Sequence, residues 1–258
     1  MKLETRRENR EPKNGAPRGK EPTRLVALSD GLFATVLTLL VLDLRIPDAL
    51  SANGGDWNTF VKWIAPHLFS YLLTFLVAAN YWLAHHRDFD HIVHYDRTLL
   101  GYNLLFLLFV GLLPFSTALI SLESFRSNTY PTYWAIYAVN IILAGILLTV
   151  TWNFAASHRL VSPETTPAQV RNISVRQMAI PAVFLVSIIT EYLFPQALLG
   201  PYTLLAIPIV LALMDRTAPR EGPATESSKP GWSEVLWRSG PLLLWLLIIG
   251  LAAWVLGA

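Results

Sequence analysis

Apolar and polar positions follow one another along this chain in long blocks. Seven apolar runs stand out, at about residues 25–44, 60–84, 99–122, 133–155, 175–194, 197–214 and 240–257. A bilayer core about 30 Å thick is crossed by roughly 20 helical residues. Inside it every backbone polar group must be satisfied within the helix. The pattern therefore predicts an all-α, polytopic membrane helical bundle. Six spans form a core over residues 24–215, and residues 240–258 add a seventh C-terminal hydrophobic helix. Pro195 sits in a very short connection, so the fifth and sixth runs form a hairpin. Pro114, Pro181 and Pro208 fall inside spans, where neighbouring helices tolerate a kink. Residues 1–23 and 216–239 are rich in Pro, Gly, Ser and charge and read as a flexible arm and linker.

Composition sharpens this picture. Hydrophobic residues make up 53% of the 258 and charged residues only 15%, against about 25% charged in a soluble domain. Most of the surface therefore faces something other than water. The chain has no cysteine, which excludes disulfides, thiolate catalysis and cysteine-ligated metals. The net charge of +2 says little as a total, but its distribution is lopsided. Seventeen Lys/Arg fall on the side of the N terminus, and three (Arg45, Lys62, Arg126) on the other. The positive-inside rule puts the N terminus in the cytoplasm of a cell with this protein in its plasma membrane, and the C terminus outside. The first 24 residues lack an apolar run, which argues against a cleaved signal peptide. Trp57, Trp63, Trp82, Trp134 and Trp152 lie near span ends, as an interfacial belt would.

The first run carries polar residues that lipid would not tolerate. Asp30 lies about a turn and a half inside the span. A carboxylate near a bilayer centre costs about 2.5–3.5 kcal/mol on insertion scales, so it must face protein and find a partner. Arg24, Ser29 and polar groups of neighbouring spans are candidates. At 100° per residue, Gly31, Thr35, Thr38 and Leu42 form one narrow stripe. Small and hydroxyl residues in such a stripe suit a helix-packing face. They equally suit a pore wall, where hydroxyls replace part of an ion's hydration shell and an aliphatic ring gates by dewetting.

Three stretches resemble one known family. Arg24-x-x-x-Leu28-Ser29-Asp30, followed by Gly31-Leu-Phe-Ala, is similar to the opening signature of the transmembrane protein 175 potassium channels, with Leu28 in place of the usual Phe. The end of the second span, Trp82-Leu-Ala-His85, resembles the family's Trp-x-x-His. The third span offers Tyr102-Asn103 and then Leu113-Pro114-Phe115. The resemblance covers roughly residues 24–215. It implies a potassium-preferring cation channel whose first span lines the pore. It further implies that Arg24, Ser29 and Asp30 lock to Trp82, His85 and Asn103, and that selectivity and gating layers fall at Thr35, Thr38 and Leu42 instead of at a carbonyl filter. The chain has one such pore helix, so a homotetramer is expected. Permeating potassium is the only small partner expected besides lipid, with no cofactor, metal or nucleic acid.

The alternatives rest on acids and histidines. A proton-coupled secondary cation transporter could use Asp30 and nearby histidines, although inverted repeats with interrupted helices are not evident. If the second helix continued, His86, Asp90 and His94 would share a face able to bind a transition metal. The simpler reading is a polar helix end, with His85 a partner of Asp30. Nucleophile elbows, phosphate loops and dinucleotide fingerprints are absent from the sequence, so enzyme activity is not expected. Glu191, the one acid of the fifth span, is expected near water at the outer end.

Overall fold

The computed structural model describes residues 20–44, 57–122 and 129–194, with positions 203, 204, 206, 207 and 209–211 beyond them. Helix dominates and no named strand occurs among the described residues. The elements are α1 (Thr23–Leu40), a 3-10 turn (Val41–Leu44), α2 (Trp57–His91), α3 (Arg97–Gly111), α4 (Leu113–Leu122), α5 (Tyr130–Ser157), α6 (Pro167–Gln177) and α7 (Ala179–Leu193). Among the described residues, five stretches are long and apolar enough to cross a membrane: Thr23–Leu40, Thr59–His91, Arg97–Ser121, Tyr130–Ser157 and Pro167–Leu193. The sixth apolar run is described at seven positions only, and the seventh, at 240–257, lies outside the described residues, as do Arg45 and the arm before Lys20.

Proline sets two of the boundaries. Pro114 cannot donate to the Val110 carbonyl and Pro181 cannot donate to that of Gln177, which opens the ladder one turn earlier. The chain accordingly breaks between α3 and α4 and between α6 and α7 while each pair still runs on as one span. Asp96 caps α3 by accepting from the Leu99 amide at 2.8 Å. Thr166 and Gln169 form a capping box on α6, with Pro167 in its first turn.

Helix α5 is the hub. It packs on α2, α3, α4, α6 and α7, and 56% of its spanning window is buried, against 28% for α1. Its face toward α7 includes Gly145. A Cβ there would collide with the Pro181 ring and stand 2.7 Å from the Tyr81 hydroxyl, so the approach of three helices needs this residue bare. One core fills the bundle around Phe33, Leu73, Tyr81, Phe106, Trp134 and Phe184. A smaller one joins Leu25, Phe89, Ile92, Leu99, Trp152 and Leu160 at the arginine-rich end. There the connecting loops pair with one another: Lys20 bridges Tyr95, and Ile92 bridges Val161.

Two tryptophans expected at the lipid interface are interior. Trp134 and Trp152 are fully buried. Their indole N–H groups donate to Ser187 Oγ at 3.2 Å and to the Val170 carbonyl at 3.1 Å. A buried indole needs such a partner, and α7 and α6 supply them. Trp57, by contrast, is 75% exposed.

Candidate functional site

Helix α1 has two unlike faces. Leu25, Ser29, Phe33, Val36 and Leu40 are buried against the chain, chiefly on α2, α3 and α4. Their spacing of four, four, three and four residues keeps them on one side. Gly31, Thr35, Thr38 and Leu42 are all exposed. At 100° per residue this stripe is centred about 150° around the helix from the buried face. Ala27, Leu28 and Ala34 flank it and are exposed too.

The stripe's hydroxyls have a defined polarity. Thr35 Oγ1 donates to the Gly31 carbonyl at 2.9 Å, and Thr38 Oγ1 donates to the Thr35 carbonyl at 2.7 Å. A hydroxyl has one proton and two lone pairs. With the proton committed to the helix, each threonine presents acceptor oxygen outward. Above them the 3-10 turn leaves Val41 and Leu42 about half exposed, an aliphatic end to a polar stripe.

Polar residues on the inner side form a connected set. Trp82 Nε1 donates to Asp30 Oδ1 at 2.9 Å. Ser29 Oγ donates to the Leu25 carbonyl at 2.9 Å, which spends its proton. It therefore accepts from Asn103 Nδ2 at 3.2 Å. That fixes the amide, so Asn103 Oδ1 faces His85 and accepts from Nε2 at 2.9 Å. His85 thus carries its proton on Nε2, and Nδ1 has no hydrogen-bond partner among the described residues. Its ring stacks between Phe89, at 4.4 Å between centroids, and Phe106, at 5.7 Å. Ser29, His85 and Asn103 are fully buried.

The structure brings together Ser29 with Asn103 and His85, and Asp30 with Trp82. Arg24 is not among them: it is exposed and makes no hydrogen bond or ion pair with another described residue. It stands about 120° around α1 from Asp30 and six residues below it, on the side of the open stripe. The partner of Asp30 is Trp82, and His85 bonds to Asn103 instead. The proposed metal face does not form. Helix α2 ends at His91, and the chain turns into a bridged loop where the His94 amide bonds the Leu160 carbonyl. No group of three or more His, Cys, Asp or Glu able to hold a metal occurs among the described residues.

Other buried polar groups escaped the sequence pattern. Gln177 Nε2 donates to both oxygens of Asp88, at 2.9 and 2.7 Å, with both residues buried. Thr74, on α2, meets Thr117 Oγ1 at 2.8 Å and the Tyr137 hydroxyl at 3.0 Å. Asn140 donates to Ser116 at 3.1 Å. The signal was present as hydroxyl and amide residues recurring inside apolar runs, but their partners lie 24 to 89 residues away. Glu191, expected near water, is fully buried. The packing of α7 on α5 turns its side carrying Val183, Ser187 and Glu191 inward.

Comparison with known proteins bears on the same region. Residues 24–114 match the family model described as endosomal/lysosomal potassium channel TMEM175. A potassium channel of Streptomyces collinus is 30% identical over 158 residues, covering 60% of this chain and 75% of that protein. The human endosomal/lysosomal proton channel TMEM175 is 30% identical over 149 residues, but only 29% of its length is matched. In three dimensions the chain is similar to a lysosomal potassium-selective channel TMEM175 homologue from Chamaesiphon minutus. The TM-score is 0.62 at 26% identity, covering 76% of this chain and 98% of that one.

Proposed function

The chain belongs to the TMEM175 family of membrane channels, and from that premise we propose that the open stripe of α1 lines a potassium-preferring pore shared by four copies of this chain. It is a multi-pass membrane protein and a cation channel, not an enzyme. The N terminus and the arginine-rich loops face the cytoplasm, by the positive-inside rule.

One observation carries the pore reading: an exposed row of outward-pointing hydroxyl oxygens on Thr35 and Thr38, opposite a well-packed face. A single chain leaves most of α1 uncovered. Lipid is a poor cover for lone pairs that could accept hydrogen bonds, whereas hydrated cations are matched by them. Gly31 and Ala34 allow copies of α1 to approach closely. Leu42 then closes the outer end of the stripe as an aliphatic constriction that gates by dewetting. The contacts of Asp30 with Trp82 and of Ser29 with Asn103 hold the opposite side of α1 in place, so that the stripe keeps its aim.

Reconstituted protein tests this under bi-ionic conditions, potassium against sodium. The account expects a reversal potential favouring potassium and flux down the potassium gradient without a pH gradient. Thr38→Ala removes an acceptor ring and is expected to reduce discrimination severalfold while leaving the protein folded. Flux that requires a proton gradient would instead indicate a coupled transporter.

A further inference from the structure

Arg24 is the charge that the anchoring contacts of α1 leave over. It is exposed, and its guanidinium makes no hydrogen bond or ion pair among the described residues. At 100° per residue it falls within about 20° of Gly31 and Thr35, so it continues the open stripe below its glycine. Asp30, the next acid along the helix, is about 120° away and accepts from Trp82. Glu21, the acid three residues earlier, is exposed and makes no ion pair with Arg24. The first turn of α1 holds no acidic residue, and its N-cap makes no side-chain hydrogen bond.

Helix stability does not account for this placement. The first turn of a helix carries partial positive charge, which disfavours a cation there, and Arg24 is exposed, so little packing offsets the cost. Membrane orientation does not require it either: seven other Lys/Arg precede it, and the positive-inside rule counts such charges together. What the position offers is aim. In the proposed pore, on which this inference rests, four guanidiniums gather at the N-terminal mouth, below the hydroxyls of Thr35 and Thr38. We propose that Arg24 is a valence filter at that mouth, keeping divalent cations out while potassium passes. The repulsion scales with the charge of the ion. A divalent cation is therefore depleted by the square of the factor for a monovalent one. Four charges about 8 Å from the axis, screened over about the same length at physiological salt, lower potassium at the mouth about threefold and magnesium about tenfold. The threonine hydroxyls are neutral and supply no repulsion of this kind.

Single-channel recording of the full-length protein in planar bilayers tests this, with magnesium added to one side at a time. Arg24→Gln is expected to raise potassium current about threefold and magnesium entry, read as block or permeation, about tenfold. The magnesium effect is expected only from the side of the N terminus, and both changes are expected to shrink in high salt. Arg24→Lys keeps the charge and is expected to behave as the unaltered protein. The chain has no cysteine, so Arg24→Cys lets the charge be set on one folded channel, should Arg24→Gln fold poorly. A cationic thiosulfonate is expected to restore the unaltered behaviour, and an anionic one to increase magnesium entry further. Potassium current with magnesium entry indifferent to the charge at position 24 would overturn the filter and leave the pore standing. No potassium current from the unaltered protein would overturn the pore, and the filter with it.

Discussion

Asn103 is the residue on which the inner side of α1 turns. Its amide donates to Ser29 on α1 and accepts from His85 on α2, while its own backbone belongs to α3. Three helices are therefore tied by one fully buried side chain. Replacing it with Leu leaves the His85 donor unpartnered. An unsatisfied buried group costs about 1–3 kcal/mol, and Asn103→Leu forfeits two bonds, so a loss of about 2–4 kcal/mol is expected. Trp82→Phe removes one donor from half-buried Asp30 and should cost less, about 1–2 kcal/mol. Thermal unfolding in detergent checks the order: Asn103→Leu below Trp82→Phe below the unaltered protein. The reverse order would shift the main anchor of α1 to Asp30. Much of this was legible beforehand. Ser29 and Asp30 stand out as polar residues in an apolar run, and Trp82, His85 and Asn103 stand out by resemblance. The pairing was not legible, because it depends on rotation about helices. Arg24 is near Asp30 in sequence and on another side of the helix in space.

At the scale of elements, the described spans lie close to where hydrophobicity put them, and the departures have local causes. Helix α2 runs seven residues beyond the expected end at 84, through His91. The extension is held by Phe89 in the smaller core and by the Asp88–Gln177 contact with α6. Hydropathy reads Asp88 as a loop charge, since nothing local reveals that Gln177 will cover it. Close helix approach is equally invisible in a sequence, and Gly145 is its clearest case. Gly145→Ala must displace Pro181 or the Tyr81 hydroxyl, which donates to the Ile141 carbonyl at 2.7 Å. Overpacking of this kind costs about 1–3 kcal/mol. A lowered unfolding temperature is expected, against an unchanged or slightly raised one for Gly101→Ala or Gly111→Ala, where a Cβ meets nothing within 4 Å and helix propensity favours Ala. An unfolding temperature raised alike at all three sites would mean that helix propensity, rather than the α5–α7 approach, decides.

At the scale of the molecule, the packing is uneven. The hub α5 is wrapped by its own chain, whereas α1 is covered on one side only. The uncovered side is the one whose threonine protons are committed inward and whose oxygens face out. In the proposed function, copies of the chain meet around that open side of α1. The stripe itself was visible as a sequence period, but a packing face and a pore wall share that period. Exposure within the chain is what separates α1 from the other spans.

Because the chain contains no cysteine, one scan tests the orientation of α1 without background. Single cysteines at positions 31, 35, 38 and 42 are compared with cysteines at 25, 33 and 36 in reconstituted protein exposed to a small cationic thiosulfonate during potassium flux. Block at Thr35→Cys and Thr38→Cys, with flux untouched at Leu25→Cys, Phe33→Cys and Val36→Cys, is the predicted result. Block at the second set, or a modified Thr38→Cys that still conducts as before, would contradict a pore lined by the hydroxyl side of α1.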